Sequence, residues 1–104
     1  MPTSRKVKWT TTARDDLRSI YSYIAQFDPA LADAFVTGLY QKIEALAQLG
    51  LTGTKTDHLR DDIRAFTFKE RRFFIRVSDE TITVLRVKHG RQNISPDDFP
   101  ESDL

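Results

Sequence analysis

Cysteine is absent from the 104-residue chain. That rules out disulfides, thiolate metal sites and a cysteine nucleophile, and it is compatible with a reducing cytoplasm. Histidine occurs only twice, as His58 and His89, and neither lies in a known nucleophile motif. No group of His, Asp or Glu has metal-ligand spacing. Asp61 and Asp62 are adjacent, so an extended chain would point them to opposite sides. Glycine is scarce, and the stretch from Gly50 to His58 lacks the Gly-Lys-Ser/Thr pattern of a phosphate-binding loop. No apolar run approaches the roughly 18 residues of a membrane span. The opening residues MPTSRKVKW hold no apolar core of a secretory signal. No metal, cofactor or membrane partner is therefore expected.

What remains fits one small domain. Hydrophobic residues make up 39% and aromatics 11%, enough for one modest core. The net charge of +1 hides an asymmetry. Residues 55–91 carry ten Lys or Arg against six acids, and residues 92–104 carry four acids and no base. A basic region of this kind meets nucleic acid or an acidic protein surface, or it is neutralised by its own tail.

Lys6 to Trp9 alternates polar and apolar residues, as a half-buried strand does, with Trp9 toward the core. Thr10, Thr11 and Thr12 supply N-cap candidates, and Thr12 with Asp15 resembles a capping box. Asp15 and Asp16 would then occupy the first helical turn. Ala13, Leu17, Ile20, Tyr21 and Ile24 form an apolar stripe, which predicts a helix to about Gln26. Asp28-Pro29 restarts the chain as cap and first helical residue. Ala32, Phe35, Val36, Leu39, Ile43, Leu46 and Leu49 form a second stripe, closed by Gly50. So short a junction predicts an antiparallel helical hairpin. Tyr21, Tyr23 and Tyr40 read as packing residues with wet hydroxyls.

Three strands should follow. Leu59–Phe68 leads into a four-residue turn, Lys69-Glu70-Arg71-Arg72. Phe73–Val77 is joined through Asp79-Glu80 to Thr81–Val87. A two-residue loop at Asp79-Glu80 would pair Val77 with Ile82 and Ile75 with Val84. Phe73, Ile75, Val77, Ile82 and Val84 would then share the helix-covered face. Phe74, Arg76, Thr83, Leu85 and Val87 would lie on a mixed second face. The expected fold is α+β, with an N-terminal strand and a helical hairpin packed on one face of a small antiparallel sheet, in the order β-α-α-β-β-β. Residues 1–91 form the domain and residues 92–104 an acidic tail, which Ile94 and Phe99 can pin to it.

Two kinds of function fit these residues. Metal-free RNA cleavage needs a base, an acid and positive charge at the phosphate, and Arg64, Arg86, His89 and Arg91 are the candidates. The same residues also read as structural, with Arg64 and Arg86 paired to acids and His89 in a turn. A binding module would use the basic strand ends to grip an acidic partner.

The chain resembles the RelE/ParE superfamily of bacterial type II toxin–antitoxin modules, the ParE branch most closely. The resemblance runs from about Lys6 to Arg91. It rests on W-T before A-R-D-D-L-R-S-I-Y-S-Y-I, on D-P-A-L-A-D-A-F, on L-R-D-D-I-R-A-F, on F-F-I-R-V, and on I-T-V-L-R-V-K-H-G-R. It implies a cytoplasmic toxin neutralised by direct binding of a cognate antitoxin, ParD-like or of another family. Operator DNA would be reached only through that antitoxin. A ParE-like toxin inhibits DNA gyrase, and so replication, by protein contact rather than catalysis. Arg71, Arg72, Arg76, Arg86, His89 and Arg91 would then be target-binding residues. The alternatives are a RelE-like ribosome-dependent endoribonuclease, with Arg64, Arg86, His89 and Arg91 catalytic, and an inactive co-repressor.

Overall fold

A computed structural model describes residues 5–50, 54–55 and 63–89. The elements are β1 (Lys6–Trp9), α1 (Thr11–Phe27), α2 (Pro29–Leu49), β2 (Thr54–Lys55), β3 (Ile63–Phe68), β4 (Arg71–Val77) and β5 (Thr81–His89). They build one five-stranded sheet in the order β1-β5-β4-β3-β2. The expected succession of strand, helical hairpin and three-stranded meander is present. Residues 59–62 of the predicted third segment lie outside the described residues. The two-residue β2, inside the stretch read as loop, pairs antiparallel with β3. β1 runs parallel to β5, so the sheet is mixed rather than wholly antiparallel. These strands are far apart in sequence, and no hairpin forces them antiparallel.

The helix boundaries follow from capping. Thr10, not Thr12, caps α1, and its Oγ1 accepts from the Ala13 N–H at 3.0 Å. The Thr10 hydroxyl also donates to Leu85 O at 3.0 Å, which ties the helix start to β5. That tertiary bond outweighs the local capping box. It moves Asp15 and Asp16 out of the first turn, and Asp15 instead pairs with Arg18 at the surface. Asp28 caps α2 as expected, accepting from Leu31 N–H at 3.1 Å, with Pro29 next to it. Gly50 closes α2 at φ 71°, the left-handed region where glycine carries no Cβ penalty.

The main core lies between the hairpin and one sheet face. Ala13, Leu17, Phe35, Leu39 and Ile43 pack there on Phe66, Phe73, Ile75, Ile82 and Val84. Each such Leu, Ile or Phe contributes about 1.5–3 kcal/mol by leaving water. This cluster therefore dominates the fold's stability. Leu49, assigned to the stripe, is 58% exposed, although Leu46 and Ala47 just before it are buried in the core. The three tyrosines are wetter than expected. Tyr23 is 60% exposed, and Tyr40 meets the half-buried Trp9 edge-on at 5.7 Å.

Two details of the meander depart from the sequence reading. The turn after β3 is Lys69-Glu70 alone, and Arg71 and Arg72 are already in β4. Both turn residues have positive φ, 48° and 67°. Left-handed αL conformation at both positions is what a two-residue type I′ hairpin turn requires, here without Asn-Gly. The second difference concerns β5. Val77 pairs with Ile82 and Ile75 with Val84 as predicted, but the register then slips, and Phe74 pairs with Arg86 and Phe73 with Val87. The extra residue is Leu85. This bulge returns Val87 to the helix-side core, away from the second face assigned to it.

Candidate functional site

The basic residues of β3, β4 and β5 fall into three groups. Arg72 stands directly opposite Lys88, and Arg76 lies between Ile63 and Thr83 on the same strand as Arg72. Alternation puts Arg72, Phe74 and Arg76 together on the face away from the helices. The Arg72 guanidinium sits 5.1 Å from the Phe74 ring centroid, a cation–π contact that fixes its orientation. Arg76 is exposed. Arg72 and Lys88 are partly exposed, so Arg76 is the most open of these three cations.

Arg71 falls on the helix side of β4, one residue from the turn. It lines an open groove of about 550 Å³ with Asp16, Ile20, Tyr23, Val87 and Lys88. Arg71 Nε is buried there without a hydrogen-bond partner among the described residues. His89 is its backbone partner across the ladder. Arg91 and the proposed tail lie outside the described residues, as does His58.

Arg86 has a different environment. Its Nε donates to Asp16 Oδ2 at 3.0 Å and its second amino group to Oδ1 at 3.4 Å. The same Oδ2 accepts the Val87 N–H at 2.9 Å. Both side chains are about four-fifths buried, 22% and 17% exposed. Arg86 thus anchors α1 to the bulge, in line with its structural reading. Arg64 pairs with Ile75 on β4 and so lies on the helix side, apart from Arg72 and Arg76. Asp16 thus stands both at the Arg86 guanidinium and in the groove lined by Arg71, whereas Arg64 sits further along the sheet, opposite Ile75. Lys88 was absent from the candidates, because simple alternation from Val87 on the second face puts it on the other side, and only the bulge at Leu85 sets it opposite Arg72.

A second groove, of about 430 Å³, opens on the hairpin's outer side between Trp9, Leu17, Val36 and Tyr40, with Arg14 and Arg18 at its rim. Tyr21 also lines it and donates its hydroxyl to Asp33 at 2.6 Å. That hydrogen bond and the Asp33 charge raise the Tyr21 pKa above its ordinary 10.0. Among the described residues no group of three or more His, Asp or Glu is placed to hold a metal ion. No described helix is long and apolar enough to cross a membrane.

One family model matches the chain. The profile of the ParE toxin of the type II toxin–antitoxin system parDE matches residues 7–94. No curated protein matches significantly. Among solved structures, a chromosomal ParDE toxin–antitoxin system from P. aeruginosa is 24% identical, with a TM-score of 0.68 over 83% of this chain and 96% of that one. The toxin–antitoxin complex RelBE2 from Mycobacterium tuberculosis is 25% identical, with a TM-score of 0.57 over 84% and 92%. The fold is thus shared with both branches of the superfamily, while the family profile spans nearly the whole described domain. The chain belongs to the ParE toxin family of type II toxin–antitoxin systems.

Proposed function

We propose that this ParE toxin inhibits DNA gyrase by protein contact, through the cationic second face of its sheet, and is neutralised by a cognate antitoxin. The observation that carries the reading is the row Arg72, Lys88 and Arg76 within a ParE-family fold. Cations held on a rigid sheet steer association with an acidic surface and set its register. Arg71 adds a cation at the start of β4, on its helix side, and His89 and Arg91 are assigned to the target by the family resemblance. Arg86 serves it indirectly, by holding β5 to α1. Such a toxin works in the cytoplasm, where its target is.

An antitoxin partner is supported by the two solved relatives, both toxin–antitoxin assemblies. The aromatic groove on the hairpin suits an amphipathic segment, because its apolar floor is rimmed by Arg14 and Arg18. Contact with operator DNA would come through that antitoxin.

The test is a gyrase supercoiling assay with purified toxin, run beside a ribosome-bound mRNA cleavage assay. Loss of supercoiling with intact mRNA is expected. Cut mRNA with unaffected gyrase would overturn the reading and would turn attention to Arg64, Arg86, His89 and Arg91 as catalytic groups. Absence of both effects, with no growth arrest on expression, would point to a co-repressor.

A further inference from the structure

The Nε–H of Arg71 is buried and has no hydrogen-bond partner. Among the described residues Arg71 forms no ion pair either. Asp16 shares its groove but is already engaged. Its Oδ2 takes the Arg86 Nε–H and the Val87 N–H, and its Oδ1 takes the second Arg86 amino group. A donor withdrawn from water and left unpaired is costly, most of all on a cation. Among the described residues Arg5 Nη1 is the other buried atom of this kind, but the Nε of that guanidinium is anchored on Ser78 O at 2.8 Å. Arg71 has no such anchor, so its donors await an acceptor from outside.

Arg71 also stands where two recesses adjoin. One is the groove of about 550 Å³, with Ile20, Tyr23, Val87 and Lys88 in its wall. The other, of about 230 Å³, is lined by Ile24, Leu31, Phe35 and the Lys69-Glu70 turn. Arg71 lines both, and Ile20 and Ile24 are one turn apart on α1, so the two form one cleft along that helix. Tyr23 and Leu31 in its walls are more than half exposed. So is Phe27, whose ring meets Tyr23 edge-on at 5.5 Å. Apolar surface gathered around a cation in this way marks an interaction site, unlike single exposed side chains.

A guanidinium is matched by a planar carboxylate, which takes two of its donors at once. The apolar walls on both sides of Arg71 call for apolar neighbours to that carboxylate. A nucleic-acid backbone is charged at every step and would leave Ile20, Ile24, Leu31 and Phe35 wet. We infer that the cleft between α1 and the start of β4 docks an amphipathic protein segment, which places one Asp or Glu on Arg71 and an apolar residue one helical turn to each side. The site is separate from the second face of the sheet. It is also separate from the aromatic groove, which Arg14, Leu17, Arg18 and Tyr21 border on the opposite side of α1. Arg71 is thereby a specificity residue, beyond the charge it adds in the gyrase reading, and the inference does not rest on gyrase as the target.

The test titrates the full chain with a blocked helical peptide that carries one Glu with a Leu four residues to each side, and with its Gln twin. The Glu peptide is expected to bind about tenfold tighter than the twin. The Arg71 Nε–H resonance and the Ile20 and Ile24 methyls should move on binding. Arg71→Gln should erase the difference between the peptides. Arg71→Lys, which keeps the charge but loses the fork, should keep only part of it. Equal affinity of the two peptides for the unaltered chain, or no saturation by about 1 mM, would overturn the inference, and neither outcome depends on a variant folding. So would shifts at Trp9 and Tyr40 in place of Ile20 and Ile24, which would seat the peptide in the aromatic groove. Inorganic phosphate that moves the Arg71 Nε–H at a lower concentration than the Glu peptide would overturn it in favour of a phosphate ligand. Ile20 and Ile24 shifts that follow toxin concentration alone would overturn it in favour of a second copy.

Discussion

Asp16 on α1 and Arg86 in β5 are seventy residues apart and joined at 3.0 Å, and the same carboxylate oxygen takes the Val87 N–H at 2.9 Å. One side chain therefore satisfies both an ion and a backbone donor at the sheet bulge. Asp16→Ala leaves both without that acceptor and is expected to cost about 2–3 kcal/mol in urea unfolding. Asp16→Asn keeps a carbonyl for Val87 and should lose less. Equal losses for the two variants would show that the charge, not the hydrogen bond, carries the effect.

Thr10 joins the same region from the other side. It caps α1 and bonds to Leu85 O with one hydroxyl. Thr10→Ala should cost about 1–2 kcal/mol, with most of the loss recovered in Thr10→Ser. Thermal unfolding of the three proteins decides this.

The Lys69-Glu70 turn is held at positive φ by residues that resist it. A non-glycine residue pays roughly 1–2 kcal/mol there. The double change Lys69→Asn and Glu70→Gly is expected to stabilise the protein by about 1 kcal/mol and raise Tm by about 4–8 °C. An unchanged or lower Tm would mean that the side chains compensate locally, for instance through the Lys69 ammonium 5.7 Å from the Phe68 ring.

Tyr21 supplies a pH signature. Its pKa is raised by Asp33, so the folded state holds the phenolic proton more tightly than the unfolded chain. The contribution is complete below the ordinary value of 10.0 and is lost as pH climbs through the raised folded value. Stability at high pH should fall less steeply in Tyr21→Phe than in the natural chain. Carbon-13 titration of the Tyr21 ring measures the shift directly, and an ordinary midpoint would remove it.

For activity, Arg72→Glu with Arg76→Glu should weaken gyrase inhibition by about tenfold or more. Retained inhibition would move the contact surface elsewhere, with the groove at Arg71 next to be tested.

The order of elements was legible in the sequence because each is set by short-range chemistry. Asp28-Pro29 and Gly50 bound α2 through caps that need only their neighbours. The stripe through Phe35, Leu39 and Ile43 fixed the buried side of α2. The pairing of Val77 with Ile82 followed from a two-residue loop. The family resemblance rested on the same local patterns. Tertiary structure decided what depends on distant partners. Leu85 bulges, so Val87 changes face and Arg86 comes to bear on Asp16, a relation that no period of two can encode. Thr10 displaces Thr12 as cap because Leu85 O is within its reach. Arg71 and Arg72, neighbours in a predicted turn, are divided between the two sheet faces once that turn contracts to Lys69-Glu70. Local propensity fixes where elements begin and what they bury, whereas the grouping of charges depends on register, and register is settled only when the strands meet.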